Sequence, residues 1–83
     1  MSWKALSRTL ELEAVQQALR LGWKLRPGSY KKRAHFYFDG PVLFSVEWKW
    51  NQVGYTVGRE TMFSAEGAIQ LLHSAAQNPS GAA

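Results

Sequence analysis

Residues 42–50 read VLFSVEWKW, and apolar side chains recur at every second position of this stretch. Such alternation sends successive side chains to opposite faces of a β-strand, so one face of a sheet is expected to be buried. The residues predicted to point inward are Val42, Phe44, Val46, Trp48 and Trp50. Those predicted to point outward are Leu43, Ser45, Glu47 and Lys49. The pattern predicts an antiparallel sheet with one covered and one uncovered face.

Two further strands are predicted beside this one. The first covers about Arg33 to Phe38 and ends at the turn residues Asp39-Gly40-Pro41, and the other covers Val53 to Gly58 or Arg59. Short connections between neighbouring strands favour an antiparallel meander. Trp23–Leu25 is a possible short fourth strand.

Helices are predicted on both sides of the strands. One covers about Ser7 to Leu21, where Gly22 supplies the left-handed residue that commonly ends a helix. The other begins after Ser64, a favourable N-cap, and is stopped by Asn78-Pro79. The predicted fold class is therefore α+β in the order α-β-β-β-α, with a three-stranded antiparallel sheet and two helices packed on one face.

Length and composition set the broad class. The 83 residues contain no cysteine, which excludes disulfides and thiolate metal sites and favours a reducing cytoplasm. Residues 1–78 are predicted to form a single α+β domain and residues 79–83 a disordered tail. No apolar stretch has the length needed to cross a membrane, and we expect a monomer or small homo-oligomer. Neither a metal nor another cofactor is predicted, because the two histidines lie on different predicted elements.

The positive charge of the chain is concentrated in one segment. Six basic residues and no acidic one lie between positions 20 and 33, whereas the rest of the chain carries four basic and six acidic residues. These six residues are Arg20, Lys24, Arg26, Lys31, Lys32 and Arg33. Such a field attracts phosphates or an acidic protein surface, so nucleic acid and an acidic protein are the two partner classes predicted.

The candidate binding residues combine cations with aromatic rings. On the alternation of the strands, Arg33, His35 and Tyr37 share the uncovered face with Lys49 and Thr56. Cations of this kind neutralise phosphates, and aromatic rings stack on bases. The predicted nucleic-acid or partner contacts are Lys24, Arg26, Tyr30, Lys31, Lys32, Arg33, His35, Tyr37 and Lys49.

The predicted order of helix, three strands and helix over Ser7–Gln77 is similar to that of double-stranded-RNA-binding domains. Such domains place the lysine-rich start of their second helix on phosphates across the groove. The corresponding start in this chain is Phe63–Gly67, which contains Glu66 and no lysine. The resemblance therefore extends to the topology and not to that contact.

A second resemblance concerns a shorter stretch. Ala18–Trp23, then Gly28-Ser29, then His35-Phe36 resemble the helix, Gly-Trp, Gly-Ser and histidine order of HicA-type toxin ribonucleases. In that family the histidine directly follows the Gly-Ser pair, whereas Tyr30 holds that place here and His35 follows an inserted basic run. The resemblance implies a ribonuclease in which His35 would act as a general base.

Three functional hypotheses follow from the sequence. The first is a small non-enzymatic protein that binds a polyanion, most plausibly nucleic acid, through its basic surface. The second is a protein-interaction module, such as an inhibitor or accessory protein of a phage or mobile element, anchored by Trp3, Leu43 and Tyr37. The third is a small ribonuclease that uses His35, the catalytic candidate of the chain.

Overall fold

A computed structural model describes residues 2–27, 35–50 and 52–77, with side chains from Leu6 onward in those ranges. Its elements are α1 (Ser2–Glu11), α2 (Glu13–Arg20), β1 (Lys24–Leu25), β2 (His35–Asp39), β3 (Phe44–Lys49), β4 (Gln52–Val57), β5 (Glu60–Met62) and α3 (Ala65–Gln77). The five strands form one antiparallel sheet in the order β1-β2-β3-β4-β5. The predicted α+β class and antiparallel meander are therefore confirmed, but the described chain has five strands and three helices, not three strands and two helices.

The two additional strands lie at the edges of the sheet. β1 is the possible short fourth strand, and Lys24 pairs with Asp39 of β2. β5 arises because Gly58, at φ 64°, lets the chain reverse directly after β4, so that Glu60 pairs with Val57. The predicted strand over 53–59 was wrong at its end for this reason.

The first predicted helix was wrong as a single element. Leu12 has an extended backbone, with φ −65° and ψ 137°, and it separates α1 from α2. The apolar stripe that suggested one helix runs across this break, because Leu10 and Leu12 both pack against the same core as Val15. Periodicity alone does not detect such a break, since the apolar side chains remain on the core side.

Two predicted helix ends are confirmed. Gly22, at φ 109°, follows α2, and Trp23 donates its backbone N–H to the carbonyl of Ala18 at 2.9 Å. This is the Schellman arrangement, in which a left-handed glycine reverses the chain at the end of a helix. At the start of α3, the Ser64 hydroxyl accepts the backbone N–H of Gly67 at 3.1 Å, as expected of an N-cap.

The core lies between one face of the sheet and the helices. Its fully buried aromatic side chains come from β2, β3 and the segment after α2, and α2 and α3 cover them with alanine, valine and leucine. The buried hydrophobic residues are Ala14, Val15, Ala18, Trp23, Phe36, Phe38, Phe44, Val46, Tyr55, Val57, Ala68, Leu72 and Ala75. The other face of the sheet therefore has no helical cover among the described residues.

Trp48 and Trp50 have different environments although both were predicted to be in the core. Trp48 donates its indole N–H to the hydroxyl of the buried Thr9 in α1, at 2.7 Å. Trp50 is 95% exposed and has φ 59°, because it lies in the turn that joins β3 to β4. The prediction for Trp50 was wrong, since the strand alternation ends at Lys49, which pairs with Gln52.

Candidate functional site

The uncovered face of the sheet carries side chains from adjacent strands in two central rows. In the first row, the register aligns Tyr37 of β2 with Ser45 of β3, Thr56 of β4 and Thr61 of β5. The hydroxyl groups of Thr56 and Thr61 lie 3.2 Å apart and share a hydrogen bond. Side chains in such rows are neighbours across the strands. Ser45 is only 7% exposed, so the part of this neutral, hydroxyl-rich row that reaches solvent lies at Tyr37, Thr56 and Thr61.

Arg26 extends the first row at the β1 edge, where its backbone N–H donates to the carbonyl of Tyr37 at 2.8 Å. Its guanidinium donates to both carboxylate oxygens of Asp39, with Nη2 at 2.7 Å from Oδ1 and Nε at 3.2 Å from Oδ2. The hydrogen bond between them, with their charge attraction, raises the pKa of Arg26 and lowers the pKa of Asp39. Asp39 thus balances the charge of Arg26 and orients its planar group.

A stack of planar groups runs along β2. The Arg26 Cζ atom lies 5.4 Å from the centre of the Tyr37 ring, and the His35 ring lies 4.5 Å from it at an interplanar angle of 27°. The Tyr37 hydroxyl also lies 3.3 Å from Nδ1 of His35. His35 and Tyr37 are both half-buried, so these groups form an ordered and accessible surface.

The second row contains an acid between two aromatic side chains. The register aligns His35 of β2 with Glu47 of β3, and Glu47 with Gly54 of β4. Phe63 follows β5 and covers Gly54: a Cβ atom built on Gly54 would lie 3.7 Å from Cε1 of Phe63. Phe63 is 65% exposed, so the β5 edge of this face also presents an aromatic ring to solvent. An aromatic ring over a strand glycine shields backbone that would otherwise face water.

Five of the predicted site residues share this face. They are Lys24, Arg26, His35, Tyr37 and Lys49, placed there by their register partners in the sheet. The two lysines are exposed and lie at opposite ends, Lys24 beside Asp39 and Lys49 beside Gln52. The other four predicted residues, Tyr30, Lys31, Lys32 and Arg33, lie outside the described residues.

Sequence reasoning did not assign Phe63 or Glu47 to the site, and it did not predict that Trp50 is exposed. Phe63 was assigned to the start of the second predicted helix, because β5 had not been predicted. Trp50 was assigned to the core on alternation alone. Glu47 was assigned to the uncovered face but not to the predicted contacts. A turn signal at Gly58-Arg59 was the available clue to β5, and hence to Phe63.

The two histidines of the chain lie apart, and each is beside a polar side chain of the described residues. No group of three or more His, Cys, Asp and Glu side chains within the described ranges could hold a metal ion. The hydrogen-bond partner of His35 is Tyr37, a residue that orients the imidazole ring. His73 bridges two helices, with Nε2 at 3.3 Å from Oε1 of Gln17.

No protein-family model matches the chain, and neither the curated proteins nor the solved structures contain a significant match. Among the described helices, none has both the length and the apolar character needed to span a membrane.

Proposed function

We propose that this chain is a small non-enzymatic protein of the cytoplasm that binds single-stranded nucleic acid on the uncovered face of its sheet. The observation that carries the proposal is the stack of Arg26, Tyr37 and His35 on a sheet face that none of the described helices covers. Planar side chains on an open antiparallel sheet are a recurrent means of stacking unpaired bases.

The stack favours bases as ligands because its members are already ordered before binding. Asp39 holds the guanidinium of Arg26 in place, and Tyr37 and His35 hold each other through ring contact and a hydrogen bond. A base that adds to this stack, or to the exposed ring of Phe63, orders few protein side chains and therefore loses little free energy to conformational entropy. Stacking on such rings contributes about 1–3 kcal/mol for each base.

Phosphate contacts are assigned to the lysine and arginine side chains other than Arg26. Lys24 and Lys49 are exposed at opposite ends of the face. The predicted contacts Lys31, Lys32 and Arg33 come directly before His35 in the chain. Arg26 is better suited to stacking than to phosphate binding, because Asp39 already compensates its charge.

The arrangement favours single strands over duplexes. A duplex buries the faces of its bases, so the aromatic side chains of a flat sheet would have nothing to stack on. The start of α3 also lacks the lysines that dock duplex RNA in the resembling family.

The test is fluorescence-anisotropy titration of labelled single- and double-stranded DNA and RNA over a salt series from about 50 to about 200 mM. We expect single strands to bind more tightly, with an affinity that falls linearly with the logarithm of salt concentration. In the double variant His35→Ala/Tyr37→Leu, we expect the affinity for single strands to fall at least about tenfold, because a stacking platform is lost. In Lys31→Ala/Lys32→Ala/Arg33→Ala, the salt slope should decrease by about one for each phosphate contact removed.

The matched control is Trp50→Ala, which removes an exposed aromatic ring away from the central rows of the face. Circular dichroism of every variant would verify the fold. The proposal is wrong if no oligonucleotide binds at low salt, or if the His35/Tyr37 variant binds as tightly as the unmodified chain.

A protein-interaction module is the second candidate, because the chain exposes large apolar side chains. Trp50 is 95% exposed and Leu43 is 41% exposed. Exposed tryptophans are frequent anchors at protein interfaces. Under this hypothesis Trp50→Ala would abolish capture of a partner protein, and the interaction would depend weakly on salt. The side chain of Trp3, another predicted anchor, lies outside the described side chains.

A further inference from the structure

Glu47 places a negative charge on the candidate binding face, and a surface that bound only phosphates would not be expected to carry one there. It is an exposed acid in the middle strand of the uncovered face, and its register partners are His35 and Gly54. Phe63 covers Gly54, so Glu47 lies between two aromatic side chains in one row. Within the described ranges its carboxylate has neither an ion pair nor a side-chain hydrogen bond, in contrast to Asp39.

We propose that Glu47 determines base specificity and that the protein prefers guanine. This inference rests on the proposed function, because it concerns the same face and the same ligand. A carboxylate only accepts hydrogen bonds, so it repels phosphates and requires donors on the edge of a base. Bases stacked on the neighbouring rings would turn their edges toward Glu47, because adjacent strands lie only about 4.8 Å apart.

The hydrogen-bonding groups of the four bases differ in how well they match a carboxylate. Guanine presents two adjacent donors, N1–H and the N2 amino group, which fit the two carboxylate oxygens as a fork. Adenine and cytosine each present one amino group beside a ring nitrogen that accepts and therefore repels. Uracil and thymine present one N–H between two carbonyl oxygens. A paired, charge-assisted contact is stronger than a single one, so guanine binds best.

The variant Glu47→Gln tests this assignment because it changes the hydrogen-bonding pattern and hardly changes the shape. The amide offers one acceptor and one donor, a pair that every base can match on its edge, so it no longer selects the two adjacent donors of guanine. We therefore expect the guanine preference to be lost in this variant. Removal of a negative charge should also increase the affinity for every oligonucleotide by a common factor.

The probes are uridine-rich RNAs of about eight nucleotides, within the usual site size for a single-strand-binding domain, each with one central guanine, inosine, adenine, cytosine or uridine. Inosine lacks the N2 amino group of guanine and otherwise has the same edge. For the unmodified chain we expect the guanine probe to bind about tenfold more tightly than the uridine probe, since a bidentate base contact contributes about 1–3 kcal/mol of discrimination. The inosine probe should be intermediate.

The matched control is Glu60→Gln, an exposed acid of β5 that pairs with Val57 and lies outside the row of Glu47. It changes the net charge equally, so it should raise all affinities and leave the guanine preference intact. The inference is overturned if the probes bind without guanine preference, or if Glu47→Gln retains that preference unchanged. If no probe binds at low salt, the proposed function is wrong. If the probes bind but show no guanine preference, only this inference is wrong, so the two failures can be distinguished.

Discussion

The two faces of the sheet use aromatic side chains in opposite ways. On the covered face, Phe38 and Phe44 are fully buried with ring centres 5.4 Å apart, and they contribute to stability through the apolar area they remove from water. On the uncovered face, Tyr37 lies between a neighbour on the same strand and one that directly follows β1, and both partners are polar: the imidazole of His35 and the guanidinium of Arg26.

This difference shows that polar side chains on the uncovered face are held in fixed orientations by specific contacts. Asp39 orients Arg26 and Tyr37 orients His35, although such exposed contacts contribute little to the free energy of unfolding. Changes on the covered face should therefore alter stability, and changes on the uncovered face should alter binding.

The largest effect is expected for Trp23→Ala. Trp23 is only 1% exposed and donates its indole N–H to the carbonyl of Val42 at 2.8 Å, so its loss leaves a cavity and an unpaired acceptor. We expect the free energy of unfolding to fall by about 3–5 kcal/mol. Urea denaturation followed by circular dichroism would measure it. The same substitution at Trp50 is the control, and an equal loss there would contradict the contrast between the two tryptophans.

The next largest effect concerns the two glycines that lie against aromatic rings. A Cβ atom on Gly40 would overlap the indole of Trp23, whereas one on Gly54 would meet Phe63 at an ordinary contact distance of 3.7 Å. Gly40→Ala should therefore lower the free energy of unfolding by about 1–3 kcal/mol. Gly54→Ala should change it by less than about 0.5 kcal/mol. The comparison fails if the two variants have the same denaturation midpoint.

A smaller effect is expected where α1 meets the sheet. Trp48→Phe removes the hydrogen bond from the indole to Thr9 and weakens the contact with Arg8, whose Cζ lies 4.9 Å from the centre of the indole ring. We expect a loss of about 1 kcal/mol in the free energy of unfolding. Thermal denaturation would detect it. No shift in midpoint would show that the packing of α1 does not depend on this hydrogen bond.

Substitution of Trp50, an exposed residue in the turn between β3 and β4, is expected to stabilise the protein. Its φ of 59° lies in the left-handed region, which is unfavourable for a bulky side chain and tolerated by asparagine. Trp50→Asn should therefore raise the free energy of unfolding by up to about 1 kcal/mol. Trp50→Ala retains a Cβ atom and should give a smaller gain. A loss of stability in both variants would mean that the exposed ring makes contacts important to the fold.

The smallest effect is expected for Tyr55, which should alter the free energy of unfolding only at high pH. Burial raises the pKa of the Tyr55 hydroxyl above its usual value of about 10. The unfolded chain therefore loses this proton before the folded chain does, so stability falls as pH rises above about 10 and through the higher pKa of the folded state. Denaturation at about one pH unit below and one above that value should show a smaller loss in Tyr55→Phe than in the unmodified chain. Equal losses would exclude Tyr55 as the cause.

Much of the covered face could be predicted from local pattern. The alternation of VLFSVEWKW correctly assigned Phe44 and Val46 to the core, because a strand has a period of two whatever surrounds it. It could not show that the strand ends at Lys49. The turn is set by pairing between β3 and β4, and local residue type does not specify that register.

For the candidate site, the sequence indicated the shared face of His35, Tyr37 and Lys49 through the same alternation. The ion pair of Arg26 with Asp39 could not be predicted, because the two residues are 13 positions apart and meet only when β1 pairs with β2. The count of basic residues therefore overstated the charge available to a polyanion on this face.

By itself, the sequence determined the α+β class, the two faces of β3 and the ends of α2 and α3 at Gly22 and Ser64, since each depends on backbone geometry and near neighbours. Only the tertiary structure decided which charges are compensated, which tryptophan is buried and which rings border Glu47. Those properties depend on contacts between residues distant in the chain, and the free energy of such contacts is not contained in any local pattern.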